Sequence, residues 1–491
     1  MRVIAAPAPA EAAAASRPTV AAVMLPWSVG LAAAVVFFTL ALIRYLSFHS
    51  TAYDLGFFDQ VLWNVAQGRG LASTFIAYNF FGEHFEPALL LFVPLYRLAP
   101  SPVWLLAAQS VALGLAVVPV HALAGRLLGA LPSAPSPLGR GIKGGGLSTI
   151  APAAAWFAVA AYLFQLGLAR AVEFDFHTEA LAVPFVFLAI MAAMSRRWPL
   201  FLVCAAAPLL AKEDGALVVV SIGVLAFLLT RHAISLAPVA GGVAYGVVVV
   251  GWIMPVVRAG APGDLVLRYA YLGTTPNDVA LHIFTKPTAW IGHFFGSPAP
   301  LAVLVMVAAV GMLPLLRPAA LGIAVAPLIP SVISMSPYQA GLRLQYALGA
   351  VPLLVLAAVL GWQRVPRIAG GVALLAGALA TWIWLGPILP SLGTDVPQLS
   401  RAGAIDSVLA RIPREARVAA SSGLVPHLSE RREIWEFPAG LGVPWVVVDN
   451  VRQPTQESLA SGYREAIARL PLSGYRLAAE SGGVSLWRLE P

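Results

Sequence analysis

The chain has 491 residues, of which 59% are hydrophobic and only 11% are charged. Soluble domains carry about 25% charged residues, so this composition, with a mean hydropathy of +0.81 and recurring long apolar runs, predicts an integral membrane protein. The formal net charge is +8, but the basic residues are scattered at the ends of apolar runs, which excludes a nucleic-acid-binding protein. The single cysteine, Cys204, lies in an apolar run and excludes an intrachain disulfide and a zinc site built on cysteines.

Residues 1–26 form an Ala- and Pro-rich leader before the first apolar run. We interpret this leader as a disordered cytosolic tail. A cleaved signal peptide fits less well, because the apolar run comes after the leader and has the full length of a membrane span.

Residues 27–390 predict an α-helical polytopic membrane domain with about 11 transmembrane helices. Several of the segments are shorter than about 17 residues and must extend into flanking polar residues. Segment 88–98 is apolar but too short to span, and we interpret it as a re-entrant or interfacial helix on the outer side. The predicted spans cover residues 27–46, 103–128, 150–168, 180–194, 199–211, 216–229, 234–256, 300–316, 319–334, 346–360 and 368–389.

The distribution of charge predicts the orientation of the chain. The positive-inside rule places the N-terminus in the cytosol of a multi-pass protein of the cytoplasmic (inner) membrane. Of the twelve acidic residues before residue 391, only Glu11 then falls on the cytosolic side. Exclusion of acids from the cytosolic rim for structural reasons would give the same pattern. The other eleven acidic residues fall at outer ends of spans or in outer loops: Asp54, Asp59, Glu83, Glu86, Glu173, Asp175, Glu179, Glu213, Asp214, Asp264 and Asp278.

The pattern changes after the last span, because residues 391–491 contain 22 of the 54 charged residues. Helical periodicity at 402–412 and 456–470 alternates with strand-like segments at 417–420 and 445–449. Residues 475–489 predict a hairpin around Ser481-Gly482-Gly483. The sequence therefore predicts a small α/β C-terminal domain, which eleven spans place outside the cytosol.

The first outer loop, residues 51–87, carries a cluster of acids in a chain that has only 23 of them. A carboxylate near the edge of a bilayer is partly desolvated, which raises its pKa toward the value of a useful general base. We therefore predict Asp54 and Asp59 as catalytic residues, with Asp54 accepting a proton from an acceptor hydroxyl. Alternatively, Asp54 only caps the surface helix that follows it.

Polar and apolar residues alternate between residues 173 and 179. Oxygen ligands together with one imidazole suit a divalent cation such as Mg or Mn. The alternative is a solvated loop with its polar side outward. If the stretch is extended, one face would present the four predicted metal ligands: Glu173, Asp175, His177 and Glu179.

Lys212, Glu213 and Asp214 interrupt two apolar runs. Charges at membrane depth are costly unless they are paired or face water. Either Lys212 forms a local ion pair, or the three residues line an outward cavity in which Lys212 contacts a phosphate. We place His84 and Glu86 in the same polar cavity, although His84 could equally be a hydrogen-bonded helix start before Pro87.

Six motifs are distributed between about residue 35 and residue 450. Through them the chain resembles a bacterial family of polytopic membrane proteins, the domain of unknown function 2079 family. The order of features also resembles the GT-C superfamily of membrane glycosyltransferases, which have an acid just after the first span and a long outer first loop. The motifs are YDLGFFDQVLWN (53–64), GEHFEPALLLFVPLY (82–96), EFDFHTEALAVP (173–184), AKEDGAL (211–217), SGLVPHLSERREIWEFP (422–438) and WVVVD (445–449).

The resemblance implies a polyprenyl-phosphate-linked sugar donor, an inverting reaction at the outer face, and Asp54 at the catalytic acidic position of the superfamily. Cations suit a donor phosphate, and the residues expected to bind it are Lys212, Arg268 and Arg343, with Tyr346. One departure is that Gln345-Tyr346 stands where a His-Tyr pair is expected. The implied partners are the donor, an envelope acceptor and membrane lipids.

Two other functions fit a polytopic chain. A transporter or lipid flippase needs charged residues near the bilayer midplane and often an internal repeat, whereas here the charges gather at one face and no clear repeat is visible. A non-catalytic envelope assembly protein would use the C-terminal domain as its binding module.

Overall fold

The computed structural model describes residues 19–129, 150–261, 263–452 and 457–490. Its first helix is Val20–Leu46, and the Thr19 hydroxyl caps it by accepting a hydrogen bond from the amide of Ala22 at 3.3 Å. The prediction of a disordered tail is therefore wrong for residues 20–26, because this apolar stretch continues the helix through Pro26 without a break. Residues 1–18 of the predicted tail, with Glu11, lie outside the described residues.

Helices make up most of the described chain. Those of eight residues or more are α1 Val20–Leu46, α2 Phe57–Ala66, α3 Val103–Leu115, α4 Val117–Gly129, α5 Ile150–Leu163, α6 Leu166–Glu173, α7 Glu179–Met194, α8 Trp198–Ala211, α9 Gly215–Thr230, α10 Ala237–Val248, α11 Pro276–Thr285, α12 Pro287–Phe295, α13 Ala299–Ala308, α14 Pro318–Val325, α15 Val351–Trp362, α16 Arg367–Leu385, α17 Ile388–Leu409 and α18 Glu457–Arg469. Shorter helical turns include Ala52–Gly56, Phe80–Glu83, Pro87–Phe92, Val93–Leu98, Ala233–Leu236, Val249–Ile253, Met254–Val257, Asp264–Leu267, Leu313–Leu316, Ala326–Leu328, Ile329–Val332, Pro337–Ala340, Leu348–Ala350, Ser422–His427 and Pro471–Ser473.

The number of full-length membrane spans differs from the prediction. Four helices in the described residues are long and apolar enough to cross a membrane, or up to six if two bent pairs each count as one span. The count of about 11 is not confirmed, because a helix rises about 1.5 Å per residue and several predicted spans form helices of only 10–17 residues. Segment 88–98 is one of these short apolar helices. The four long spans are Val20–Leu46, Val103–Gly129, Ala233–Val257 and Arg367–Leu385.

Helix α15 lies at the centre of the membrane domain, since all twelve of its residues are buried. A helix that is apolar on every side is expected in such a position. Helices α1 and α3 cross closely. At their crossing, a Cβ on Gly114 would lie only 2.5 Å from the backbone nitrogen of Ala34, so only glycine fits there.

This crossing leads to a stability prediction. Replacing Gly114 with alanine forces backbone atoms apart, and we expect it to cost roughly 1–3 kcal/mol, measured as a lower midpoint of thermal unfolding in detergent. Gly125→Ala is the matched control, because its new Cβ would meet only the Ala155 methyl at 3.9 Å. Equal midpoints for the two variants would contradict the close crossing.

The C-terminal region contains five strands: β1 Val418–Ala420, β2 Ile434–Glu436, β3 Trp445–Asp449, β4 Tyr475–Ser481 and β5 Val484–Leu489. They form one sheet in the order β2-β1-β3-β5-β4. Strand β1 is parallel to both of its neighbours, and β5 is antiparallel to β3 and β4. The predicted strands, the hairpin and the helix near 456–470 are confirmed, whereas β2 has only three residues and gave no alternating pattern.

The C-terminal domain docks on the first loop. The amide of Ala52 donates to the hydroxyl of Ser422 at 3.2 Å, and a Cβ on Gly56 would lie 2.7 Å from a methyl of Val425. The His427 ring lies against the rings of Tyr45 and Phe48 with centroids 4.1 Å apart in each case. The loop that follows α1 is therefore covered by the domain at the other end of the chain.

Candidate active site

Asp54 lies in the helical turn Ala52–Gly56 directly after α1. One of its carboxylate oxygens is 3.2 Å from Nε2 of His177, which is almost wholly buried. The other is 2.9 Å from the Thr51 hydroxyl. The His177 Nδ1 is 3.1 Å from the carbonyl oxygen of Asp175. Because both ring nitrogens of His177 face oxygen acceptors, the geometry favours the doubly protonated imidazolium.

The charges of this pair follow from its contacts. Burial raises the pKa of Asp54, but the hydrogen bond and charge of His177, the Thr51 hydroxyl and the charge of Lys212 outweigh it and hold the pKa below its usual value. For His177, burial lowers the pKa, and the hydrogen bond and charge of Asp54 raise it above its usual value. The predicted upward shift of Asp54 is thus wrong, because an imidazolium from a distant part of the chain compensates the desolvation.

The four predicted metal ligands do not converge. Glu173 ends helix α6 and Glu179 begins helix α7, so the intervening stretch is too short to present four residues on one face. Glu173 and Asp175 pair with Arg44 at 2.9 and 3.4 Å, and Glu179 pairs with Lys212 at 2.9 Å. The described residues contain no group of three or more His, Cys, Asp or Glu side chains that could hold a metal ion. These side chains do not fit Mg or Mn, and a need for a divalent cation stays a prediction.

The first loop meets the Lys212–Asp214 break through a second set of contacts. The His84 Nδ1 is 3.3 Å from a carboxylate oxygen of Glu213, and the other oxygen accepts a hydrogen bond from the amide of Phe85 at 3.0 Å. Burial raises the pKa of Glu213, but the hydrogen bond and charge of His84 and the charge of Lys212 hold it at about 2. Glu86 is fully buried, and burial raises its pKa to about 7.

A cavity of about 560 Å³ opens beside these residues. Most of its wall is apolar, and helices α7, α9 and α10 contribute to it, with side chains such as Val183, Val186, Val218, Val243 and Val247. Its polar lining joins residues that are far apart in sequence. The polar and charged lining residues are His84, Glu179, Lys212, Glu213, Asp214, Arg258, Arg268, Tyr269, Ser331, Gln339, Gln345 and Tyr346.

The predicted site residues therefore divide into two groups. Lys212, Arg268 and Tyr346, which were predicted from the sequence to bind the donor, line the cavity, and their role in binding stays a prediction. Arg343 is exposed and is not among the described lining residues. The predicted polar cavity is also present, although Glu86 lies behind its surface. Asp54 and His177 do not line the cavity, but the charge of Lys212 acts on both.

Arg258 is a cavity residue that sequence reasoning missed. Only 6% of it is exposed, and its Nε atom has no hydrogen-bond partner in the described part of the chain. Two glycines make room for its side chain, since a Cβ on Gly82 would lie 2.7 Å from its Cγ and one on Gly263 would lie 2.0 Å from its Nη1. Its sequence signal was weak, because an arginine at the end of an apolar run is common.

Asp59 has a different environment from Asp54. It is completely buried, and it accepts hydrogen bonds from the hydroxyls of Tyr96 at 2.7 Å and Ser429 at 2.6 Å. It does not line the cavity. Burial, together with the charge of Glu430, raises its pKa to about 7. This geometry supports a role in docking the C-terminal domain and gives no support to the predicted catalytic role.

Asp59 should make stability depend on pH. The folded protein keeps the Asp59 proton up to about pH 7, whereas an unfolded chain releases it near pH 4. Between these values the folded state binds more protons, so the free energy of unfolding falls as pH rises, by up to about 4 kcal/mol. Asp59→Asn keeps the side-chain shape and removes this slope. Unfolding midpoints from about pH 5 to about pH 8 should fall more steeply in the wild type than in the variant.

Exposed Glu465, whose side chain is 68% accessible, provides the control. Glu465→Gln should keep the wild-type slope. Identical slopes in the wild type and in Asp59→Asn would contradict the raised pKa of Asp59.

Comparisons with known proteins give a structural similarity and a family match. The crystal structure of ArnT from Cupriavidus metallidurans in the apo state is similar, with a TM-score of 0.46, 15% sequence identity, and coverage of 93% of this chain and 98% of that chain. No curated protein matches the chain. The profile of the DUF2079 family, described as a predicted membrane protein, matches residues 44–486. Since this match covers nearly the whole chain and includes the motifs around Asp54, His177 and Lys212, the chain belongs to the DUF2079 family of predicted membrane proteins.

Proposed function

We propose that this protein is a membrane glycosyltransferase that takes a sugar from a polyprenyl-phosphate-linked donor and transfers it to an acceptor of the cell envelope. The observation that carries the proposal is the combination of a large apolar cavity, three cations in its lining, and an ionised carboxylate next to it. A soluble sugar nucleotide would not need apolar walls of this extent. A lipid-linked donor needs both the apolar walls, for its prenyl chain, and the cations, for its phosphate.

Donor binding follows from the lining. Apolar side chains on helices α7, α9 and α10 would contact the prenyl chain, since burial of apolar surface contributes about 25 cal/mol per Å². Lys212, Arg258 and Arg268 would contact the phosphate, because charge-assisted hydrogen bonds from cations to phosphate are strong. Lys212 is already paired with Glu179, whereas the buried Nε of Arg258 has no hydrogen-bond partner among the described residues, so Arg258 is available to bind the phosphate.

Acceptor activation is assigned to Asp54. Its low pKa keeps the carboxylate ionised at neutral pH, and His177 and Thr51 fix its position. In the transfer, the acceptor oxygen forms a bond to the anomeric carbon while the bond from that carbon to the phosphate oxygen breaks. The acceptor proton passes to Asp54, and the lipid phosphate leaves with the bonding electrons. Attack from the side opposite the phosphate inverts the anomeric centre. The proposal assigns no step to a metal ion.

The proposal includes an orientation. The distribution of Lys and Arg supports an N-terminus in the cytosol and an active site and C-terminal domain outside the cytoplasmic membrane. A lipid-linked donor is consistent with chemistry on that side, where nucleotide-activated sugars are not supplied.

The test uses the purified full chain in lipid nanodiscs with radiolabelled hexose on undecaprenyl phosphate. We expect the sugar to be released from the lipid phosphate and to appear on water or on an added acceptor. Movement of the intact donor across a vesicle bilayer without cleavage of the sugar–phosphate bond would instead establish a flippase. No cleavage with any of a panel of common hexoses would overturn the proposal.

A further inference from the structure

A second, smaller cavity lies where the C-terminal domain docks on the first loop. We call the contact between residues 48–60 and residues 421–436 the seam. The cavity at the seam has a volume of about 40 Å³, more than the roughly 10–15 Å³ that one water needs. Its lining combines apolar side chains such as Phe48 and Leu424 with polar ones that include Ser50, Thr51, Ser422 and Arg452. A cavity of this size fits a hydroxyl or hydroxymethyl group with its hydrogen-bond partners, and it is too small for a whole sugar.

Ser50 is the unexplained group in this cavity. Only 1% of Ser50 is exposed, and its hydroxyl has no hydrogen-bond partner among the described residues. Leaving a buried hydroxyl without a partner costs about 1–3 kcal/mol, and such groups are rare in native structures. A ligand that both donates and accepts hydrogen bonds, as a sugar or polyol hydroxyl does, would satisfy it.

The cavity is connected to Asp54 through its own lining. Thr51, which lines it, is 2.9 Å from the Asp54 carboxylate. Ser422, which also lines it, accepts the hydrogen bond from the amide of Ala52 at 3.2 Å. The turn Ala52–Gly56, which carries Asp54, therefore forms one side of the seam. A group held in this cavity lies close to the proposed base.

Glu436 brings a second carboxyl close to this cavity through Ser422, which lines it, although Glu436 is not among the described lining residues. It is the last residue of strand β2 and is 9% exposed. Its carboxyl forms a hydrogen bond with Ser422. Burial and the negative charge of Asp54 raise the pKa of Glu436, which favours its protonated form. Asp54 is held ionised by His177. One carboxyl that accepts a proton and one that can donate a hydrogen bond thus meet at the seam, and they come from opposite ends of the chain.

We infer that the seam is the acceptor site, that it takes a hydroxyl-rich acceptor such as a sugar or polyol headgroup, and that Ser50 and Glu436 contact that acceptor. This inference rests on the proposed glycosyl transfer. The donor occupies the large cavity and reaches Asp54 from the side of Lys212, while the acceptor enters from the side of the C-terminal domain. Docking of the C-terminal domain on the first loop is then what completes the active site.

The test separates the donor side from the acceptor side. The donor probe is hexose-labelled undecaprenyl phosphate, and the acceptor probe is octyl glucoside. Two rates are measured on the full chain: release of the sugar to water and transfer to octyl glucoside. In Ser50→Ala and Glu436→Gln, we expect the KM for octyl glucoside to rise about tenfold, the loss expected for one hydrogen bond, with donor hydrolysis unchanged within about twofold.

Ser429→Ala is the matched control, because Ser429 lies in the same seam but bonds to buried Asp59. It should lower the thermal unfolding midpoint and leave the KM for octyl glucoside within about twofold of the wild type. If Ser50→Ala and Glu436→Gln reduce hydrolysis and transfer in equal proportion, or leave both unchanged, the seam is only a structural contact and the inference is overturned. If the wild type neither transfers nor hydrolyses the donor, the proposed function itself fails.

Discussion

Asp54→Asn is expected to reduce sugar transfer by about 10³-fold, within the range of a lost general base. Asparagine has the same shape: its Oδ1 can accept the hydrogen bond from His177, and its Nδ2 can donate to the Thr51 hydroxyl, which itself still donates to Asp175. The local geometry should therefore survive. It cannot take the acceptor proton. Because the donor binds in the separate large cavity, we expect the Kd for undecaprenyl phosphate to change by less than about twofold. Transfer rate and lipid binding are measured on the same nanodisc preparation.

Asp278→Asn is the control for this change. Asp278 lies on the exposed start of helix α11, where its carboxylate accepts a hydrogen bond from Thr275 at 2.7 Å. It should keep wild-type transfer. Transfer by Asp54→Asn at the wild-type rate would remove Asp54 from the mechanism, and a loss of lipid binding in that variant would place Asp54 in the donor site.

The sequence identified the separate parts of the site more readily than their pairing. Asp54, His177 and Lys212 stood out because polar and charged residues are costly beside a membrane. In the structure Lys212 lines the large cavity, and Asp54 pairs with the buried ring of His177. Their partners could not be predicted, because Asp54 with His177 and Glu179 with Lys212 join loops that only the packing of the helices brings together. The incorrect pKa direction of Asp54 and the incorrect metal face at Glu173 and Asp175 both follow from those unseen partners.

The fold shows the same division between local and long-range information. The strand at Trp445–Asp449 and the Tyr475–Leu489 hairpin were predictable, since the first depends on a short run of β-branched residues and the second on a Gly-Gly turn with positive φ at both glycines. The count of about 11 spans is not confirmed, because apolar composition alone does not show where proline and packing end a helix. The docking of Ser422–His427 on the first loop was not predictable, because His427 and Gly56 carry no local signal for a partner at the opposite end of the chain.

Arg258 should show opposite effects on stability and on binding. Arg258 is 6% exposed and forms no ion pair with any side chain that the structure describes. A buried guanidinium without an anionic partner destabilises the ligand-free protein, so Arg258→Gln should unfold at the same or a higher temperature than the wild type. The same change should weaken undecaprenyl phosphate binding about 10- to 100-fold, because charge-assisted hydrogen bonds to a phosphate contribute roughly 1.5–3 kcal/mol. The measurements are the unfolding midpoint of the ligand-free protein and its increase with added lipid phosphate.

Two further variants distinguish a phosphate ligand from a structural role for Arg258. Arg258→Lys keeps the charge but loses the two-pronged hydrogen bonding of arginine, so it should recover part of the affinity. Exposed Arg343→Gln removes the same charge outside the cavity and should leave affinity within about twofold. A lower unfolding midpoint for Arg258→Gln with unchanged lipid affinity would mean that this arginine stabilises the helices around it. An unchanged or higher unfolding midpoint together with weaker lipid binding would show that Arg258 binds an anionic ligand, because binding of that ligand offsets the cost of burying the charge.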